Sequence, residues 1–312
     1  MIRQLSPIDL PYLTSIRSML SYDEACPRDN LGVSLRAVTA MEVFLGQWVI
    51  IRVGQRQQSW ICAGEEGLQG FASIRSRAGS STWEIDHLLL TRKNKHIVCG
   101  DLLQAIVRDS RNWSVQRIFL RLAAGNLSLN NLCQTGFTPY LHERLYQLNT
   151  RWHDNKKKKT SSLIIRPVNK NDEYRIFELY NTVFPAPVRR IEGITLGDWQ
   201  EIRGSLSCQQ CKKQYLGEDR GDIKVQFSIN TRGNIGQFEV MIYPGDDVEE
   251  ILDQIMEYVR GFPVVRCLVP EHDVILASSL QNIGFIPVAE YDVLANLSAI
   301  RVKEPELMPV RV

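Results

Sequence analysis

The chain runs through one order of elements twice. Leu132-Cys-Gln-Thr-Gly136-Phe137-Thr-Pro139 and Leu280-Gln-Asn-Ile-Gly284-Phe285-Ile-Pro287 place Leu, Gly, Phe and Pro at the same spacing. Each phrase leads into an apolar strand, HERLYQL (142–148) and AEYDVLANL (289–297). Upstream, IRQLSPIDLPYLTSI (2–16) and IRPVNKNDEYRIFEL (165–179) both read as a short strand, a turn with an Asp near the helix start, then an amphipathic helix. WICAGEEGLQGFASIRSR (60–77) and YLGEDRGDIKVQFSINTR (215–232) read as strand pairs, the first turning at Glu65-Glu66-Gly67. EIDHLLL (84–90) and QFEVMIY (237–243) follow as third strands. After a helix come FLRLAAGN (119–126) and VRCLVPEH (265–272). Five correspondences in one order predict a tandem repeat of one α/β unit.

The break between the copies is RWHDNKKKKTSS (151–162), a lysine run without apolar periodicity. It reads as an exposed linker between 1–150 and 163–300, with a tail at 301–312. Charge is uneven along the chain: sixteen Lys and Arg against twelve Asp and Glu in 1–150, five against one in 151–160, and sixteen against twenty-two in 161–312. A basic and an acidic half suggest different partners or mutual attraction, or only two solvated surfaces that differ. The lysine run invites a nucleic-acid reading, but without interleaved aromatics a solvated linker is favoured. No apolar run reaches the roughly 18–20 residues of a membrane span, and the N-terminus lacks a signal-peptide core. Seven scattered cysteines argue against a disulfide framework. The expectation is a cytoplasmic protein with reduced thiols. Cys208-Gln-Gln-Cys211 has no second C-x-x-C to complete a metal site, so no metal is expected.

LLLTRKNKHIVCGDLLQAIV (88–107) passes from a buried strand through a basic loop into a helix, the arrangement that offers backbone N–H groups to a phosphate. Together with the opening IRQLSPIDL, the Gly-Phe-Ala of GEEGLQGFA and the Leu…Gly-Phe closing segment, this stretch resembles the GCN5-related N-acetyltransferase (GNAT) superfamily. The resemblance covers nearly the whole chain, twice. It implies an α/β (α+β) class with two tandem acyl-CoA N-acyltransferase-like domains, each a mixed, mostly antiparallel sheet flanked by helices. Strands four and five of such a sheet splay apart, and acetyl-CoA lies in the gap and gives its acetyl group to an amine. The resemblance also implies a small-molecule or peptide amine as acceptor, and a tandem that itself supplies the pairing single-domain relatives obtain by dimerising.

The family's pyrophosphate loop reads Gln/Arg-x-x-Gly-x-Gly/Ala. Counting back from Leu102-Leu103 puts Asn94 at its first position, Ile97 and Cys99 at its glycines, and Gly100 one residue late. Arg92, Lys93 and Lys95 bring positive charge, joined by His96 when protonated. The resemblance therefore implies cofactor contacts from Arg92 to Gly100, Val98 included, from the backbone of Leu89 and Leu90, and from Asn126. Ile97 is the weak point, because a β-branched residue tolerates φ > 0 badly. In the second copy only Gly245 to Glu250 separate Pro244 from Ile251, and four of those six residues are acidic. That copy is expected to have lost the cradle and to cover the first, shape its cleft or dock a protein partner.

For the base, the resemblance points to Glu84, Asp86 and His87. Strand alternation puts Glu84 and Asp86 on one face and His87 on the other. The family's acidic Tyr, seven residues after an Asn, falls at Cys133 counted from Asn126 and at Leu132 counted back from Gly136-Phe137. Tyr140 is nearby in sequence. Two functions follow: an acetyl-CoA-dependent N-acyltransferase active in its first copy, or an inactive tandem acting as a binding or regulatory scaffold.

Overall fold

The structure, a computed structural model, describes residues 1–6, 9, 23–28, 31, 58–64, 67–78, 81–91, 94–125, 129–149, 163–204 and 212–298. The first half holds β1 (Ile2–Gln4), β2 (Gln58–Gly64), β3 (Gly67–Ala78), β4 (Thr82–Leu90), α1 (Lys95–Ser110), β5 (Arg117–Ala123), α2 (Leu129–Gln134) and β6 (Thr138–Asn149). The second holds β7 (Ile164–Pro167), α3 (Glu173–Val183), α4 (Ala186–Glu192), α5 (Leu196–Gly204), β8 (Lys212–Asp219), β9 (Asp222–Arg232), β10 (Ile235–Ile242), α6 (Val248–Val259), β11 (Val264–Pro270), α7 (Val274–Asn282) and β12 (Ile286–Leu297).

The repeat extends to side-chain geometry. Arg3 and Asp9 form a two-pronged ion pair, and Asp9 also accepts from the Ser6 N–H at 2.8 Å. Six residues apart in the second half, Arg166 holds Asp172 at 2.7 Å through both nitrogens, and Asp172 accepts from the Asn169 N–H at 2.8 Å. Each pair ties an opening strand to the turn behind it with a planar fork that fits a carboxylate. The matched Gly-Phe phrases have a backbone cause. Gly136 (φ 85°) and Gly284 (φ 98°) end the short helices α2 and α7 in the left-handed conformation, which glycine adopts without strain. Phe137 and Phe285 then return to the two cores, each fully buried.

Among the described residues, twelve strands form one sheet, ordered β1-β2-β3-β4-β5-β12-β6-β11-β10-β9-β8-β7. Neighbours are antiparallel except β4–β5 and β10–β11, which are parallel. The two closing strands have changed places. β12 pairs with β5 of the first half, from Tyr291 opposite Ala123 to Leu297 opposite Arg117. β6 pairs with β11 of the second half, from Glu143 opposite Pro270 to Asn149 opposite Val264. Where β6 and β12 meet, register shifts leave Tyr140 and Val288 as bulge residues at equivalent places in the two strands. Packing follows the exchange. Leu294 of β12 belongs to the first core, with Leu102, Leu103, Leu120 and Phe137. Tyr146 and Leu148 of β6 belong to the second, with Leu252, Ile255 and Phe285. The Asn296 amide on β12 donates to the Gly136 carbonyl at 2.9 Å, so the second copy also closes the first copy's helix turn.

The candidate site at the splay of β4 and β5

β4 and β5 are paired at only three positions, Thr82–Arg117, Trp83–Ile118 and Glu84–Phe119. β3 then pairs Ile74 with Ile85 and Ser73 with His87, so Asp86 is an extra residue bulged out of β4. A bulge bends its strand, and the pairing with β5 ends at Glu84, two residues before Asp86. The bulge also corrects the face assignment read from alternation. Arg75 lies opposite Glu84 and Ser73 opposite His87. Because Ser73 and Arg75 are two residues apart on β3, Glu84 and His87 share a face. Asp86 joins that side, its carboxylate accepting from the Ser73 hydroxyl at 2.5 Å.

These three side chains differ in what they can do. Glu84 is bound by Arg75 at 2.8 Å. Burial alone would raise its pKa, but the charges of Arg75, Arg77 and Arg121 hold it at about 2. A carboxylate so well stabilised is a poor acceptor for an ammonium proton. His87 is held differently. Its Nδ1 lies 2.6 Å from Asp23 Oδ2. Burial would lower its pKa, yet the hydrogen bond to Asp23 and the charges of Asp86 and Asp23 raise it. With Nδ1 engaged by the carboxylate, Nε2 is the nitrogen left for proton transfer.

The gap itself holds a segment of the same chain. Asp23 bridges Leu89 of β4, and Ala25 bridges Leu122 of β5. The Glu24 N–H donates to the Leu88 carbonyl at 2.9 Å and the Cys26 N–H to the Arg121 carbonyl at 2.8 Å. The Leu88 N–H donates to Asp23 Oδ1 at 2.7 Å. Ala25 has 0% exposure, so the segment lies inside the splay and not across its mouth. Glu24 reaches Lys95 at 2.7 Å.

At the wide end of the splay, α1 starts at Lys95. Asn94 precedes it at φ 59°, ψ 26°, without a side-chain cap, and no acidic residue lies in the first turn. The left-handed residue of this loop is therefore Asn94, a residue that tolerates that region. Ile97 and Cys99 are already helical, so neither needs the positive φ that glycine would provide. Ile97 is exposed with His96. Val98 and Cys99 are corrected as cofactor contacts: both side chains are buried in the first core, and the Val98 N–H is bonded to the Asn94 carbonyl. Leu90 likewise faces that core. Gly100 lies within α1. Gly70, the glycine of the Gly-Phe-Ala phrase, lets α1 approach β3, since a Cβ there would sit 2.6 Å from Val98 Cγ1.

The second half is built differently at the same place. β10 and β11 pair from Ile235–Val264 to Phe238–Cys267 before parting. There Asp247 caps α6, accepting from the Glu249 and Glu250 N–H groups at 3.1 Å each. The N–H groups that an anion would use are already bonded, and Glu249 and Glu250 add repulsion. A CoA pyrophosphate fits the start of α1 and does not fit the start of α6. A pantetheine arm laid between β4 and β5 would meet Asp23–Cys26 there.

Of the acid candidates, Tyr140 packs on Phe119 with centroids 5.9 Å apart and donates to Glu192 at 3.3 Å. Burial and the Glu192 charge push its phenol well above the usual range. Its hydroxyl joins the halves: Glu192 on α4 also accepts from Tyr180 at 2.8 Å and from Arg77 at 3.4 Å. Cys133 is exposed on α2. Arg92, Lys93, Asn126, Cys208 and Cys211 lie outside the described residues. Among the described residues no group of three His, Cys, Asp or Glu could hold a metal ion, and no helix is long and apolar enough to cross a membrane. No periodicity or motif marks Asp23 and Glu24, so reading by pattern missed both.

Solved structures share this architecture along the whole chain. A GCN5-related N-acetyltransferase from Sphaerobacter thermophilus is 15% identical at a TM-score of 0.59, covering 97% of each chain. A tandem GNAT protein from the clavulanic acid biosynthesis pathway is 10% identical at a TM-score of 0.58, covering 97% of this chain and 99% of its own. The fold is that of a tandem GNAT protein. A GCN5-related N-acetyltransferase from Anabaena variabilis is also similar, at 11% identity and a TM-score of 0.51, over 95% of this chain and 72% of its own. No protein-family model matches the chain, and no curated relative matches it. At these identities the shared property is the GNAT fold, and substrate and activity have to be argued from the site.

Proposed function

We propose that this tandem GNAT-fold protein is an acetyl-CoA-dependent N-acyltransferase whose first half binds the donor and whose second half is structural. One observation carries the reading: at the wide end of a splayed parallel pair, α1 starts without a cap from the Asn94 side chain and with no acidic residue in its own first turn, whereas α6 is capped by Asp247. A helix start of the first kind favours phosphate through N–H groups and dipole together. Acetyl-CoA would supply the thioester. His87 Nε2 would take the proton of the attacking amine, with the Asp86 charge sustaining the imidazolium. Glu192 and Tyr180, supplied by the second half, support its role in covering the first half's face.

The scaffold reading is favoured by a different observation, the presence of Asp23–Cys26 in the slot. Calorimetric titration with acetyl-CoA separates the two. The donor reading expects micromolar binding that Lys95→Glu weakens by about tenfold or more, equivalent to about 1.4 kcal/mol. Absence of heat at millimolar acetyl-CoA would leave the scaffold as the better account.

A further inference from the structure

Asp23–Cys26 has the form of a third ribbon, hydrogen-bonded to both walls of the splay. Its contacts fall at two different kinds of group. Along β4 it satisfies the Leu88 N–H and C=O, the pair of backbone groups that an amide-bearing chain in the gap would use. At the head of α1 the Glu24 carboxylate lies on Lys95, where a phosphate would lie. One short peptide thus meets both the amide-like and the anionic requirements of the site.

The fit is incomplete. Glu24 Oε2 is buried without a hydrogen-bond partner, a condition that disfavours the bound state of the segment. Neither contact with the walls extends beyond an isolated bridge. A ligand that pairs with Leu88 and also fills the head of α1 can therefore replace the segment without breaking a sheet ladder.

Resting on the donor reading above, we infer that Asp23–Cys26 is an intrasteric stand-in for the acyl-CoA arm, and that acetyl-CoA binds the first half by displacing it. Apparent affinity is then reduced by the fraction of molecules whose slot is open. Displacement also withdraws Asp23 from His87, so donor binding changes the environment of the candidate base.

Cys26 reports the displacement. In the slot its thiol is part-buried and pushed up to about 11, chiefly by burial. Alkylation with iodoacetamide, mapped to Cys26 by peptide mass spectrometry, should accelerate about tenfold on saturation with acetyl-CoA. The acceleration should be smaller with 3′,5′-ADP, which competes with Glu24 at the head of α1 but lacks the arm. Ala25→Asp places a charge in the buried slot and should expel the segment. That variant should label quickly without ligand and bind acetyl-CoA about tenfold more tightly than the wild type. If the wild type binds acetyl-CoA with measurable heat while Cys26 labelling is unchanged or slowed, the displacement is wrong and the donor reading stands. If neither protein gives heat at millimolar acetyl-CoA, the donor reading fails and the stand-in falls with it. Should Ala25→Asp not fold, the wild-type labelling comparison decides alone.

Discussion

Residues 1–150 and 163–312, co-expressed as separate chains, should copurify as one folded species, and neither should give a folded monomer alone. The expectation follows from the exchanged strands. Without the second chain, β5 loses the whole ladder from Tyr291 to Leu297, and the first core loses Leu294, which has 0% exposure. β6 in turn loses both neighbours, β11 and β12. An unpaired central strand leaves a row of buried N–H and C=O groups without partners, and an edge open to self-association. Size-exclusion chromatography and thermal melting of the separate and combined chains test this. A monomeric 1–150 with a cooperative melt would show that the exchange is not needed for the first half to fold.

The second large effect is expected at Glu143. Its carboxylate, with 0% exposure, accepts from Arg121 at 2.7 Å and Arg28 at 2.6 Å. Arg121 is buried, whereas the Arg28 side chain is about a third exposed and also lies 3.8 Å from Glu239 of the second half. Glu143→Gln leaves a buried guanidinium without its counter-charge. The cost should be about 3–5 kcal/mol, lowering Tm by roughly 10 °C. Burial would raise the Glu143 pKa, but Arg121 and Arg28 depress it. A depressed carboxylate contributes stability above its unfolded pKa of about 4.3 and loses it as pH falls through the folded value. The gap between wild type and Glu143→Gln should therefore be full at pH 7, begin to narrow only below the unfolded pKa of about 4.3 and close as pH falls through the depressed folded value. A gap of less than about 1 kcal/mol at neutral pH would mean that the network contributes little.

Local pattern made much of the fold legible. The hairpin at 60–77, the third strands and the Gly-Phe turns follow from alternation and turn chemistry, and the structure places them as β2–β3, β4, β10 and the ends of α2 and α7. The resemblance supplied the splay of β4 from β5. The exchange of β6 with β12 could not be read in the same way. Both strands have equivalent sequences and lead out of equivalent turns, so either could have lain beside β5 with the same faces buried; pattern fixes faces, not neighbours. The bulge at Asp86 defeated the face assignment of His87 because one extra residue resets a period of two. Asp23 and Glu24 were invisible for a simpler reason: two isolated bridges leave no periodicity. The equal Arg3–Asp9 and Arg166–Asp172 spacing was the available signal for a repeat at atomic detail, and it lies in the opening phrases.

An acyl-CoA site is proposed for the first half and not for the second. Hydrogen exchange of the full chain, with and without saturating acetyl-CoA, tests it at named amides. Slowed exchange is expected at the Lys95, His96 and Ile97 N–H groups heading α1, with no change at Glu249 and Glu250, whose N–H groups Asp247 already holds. Slowing at Glu249 and Glu250 instead, or at neither helix start while acetyl-CoA is bound, would contradict it.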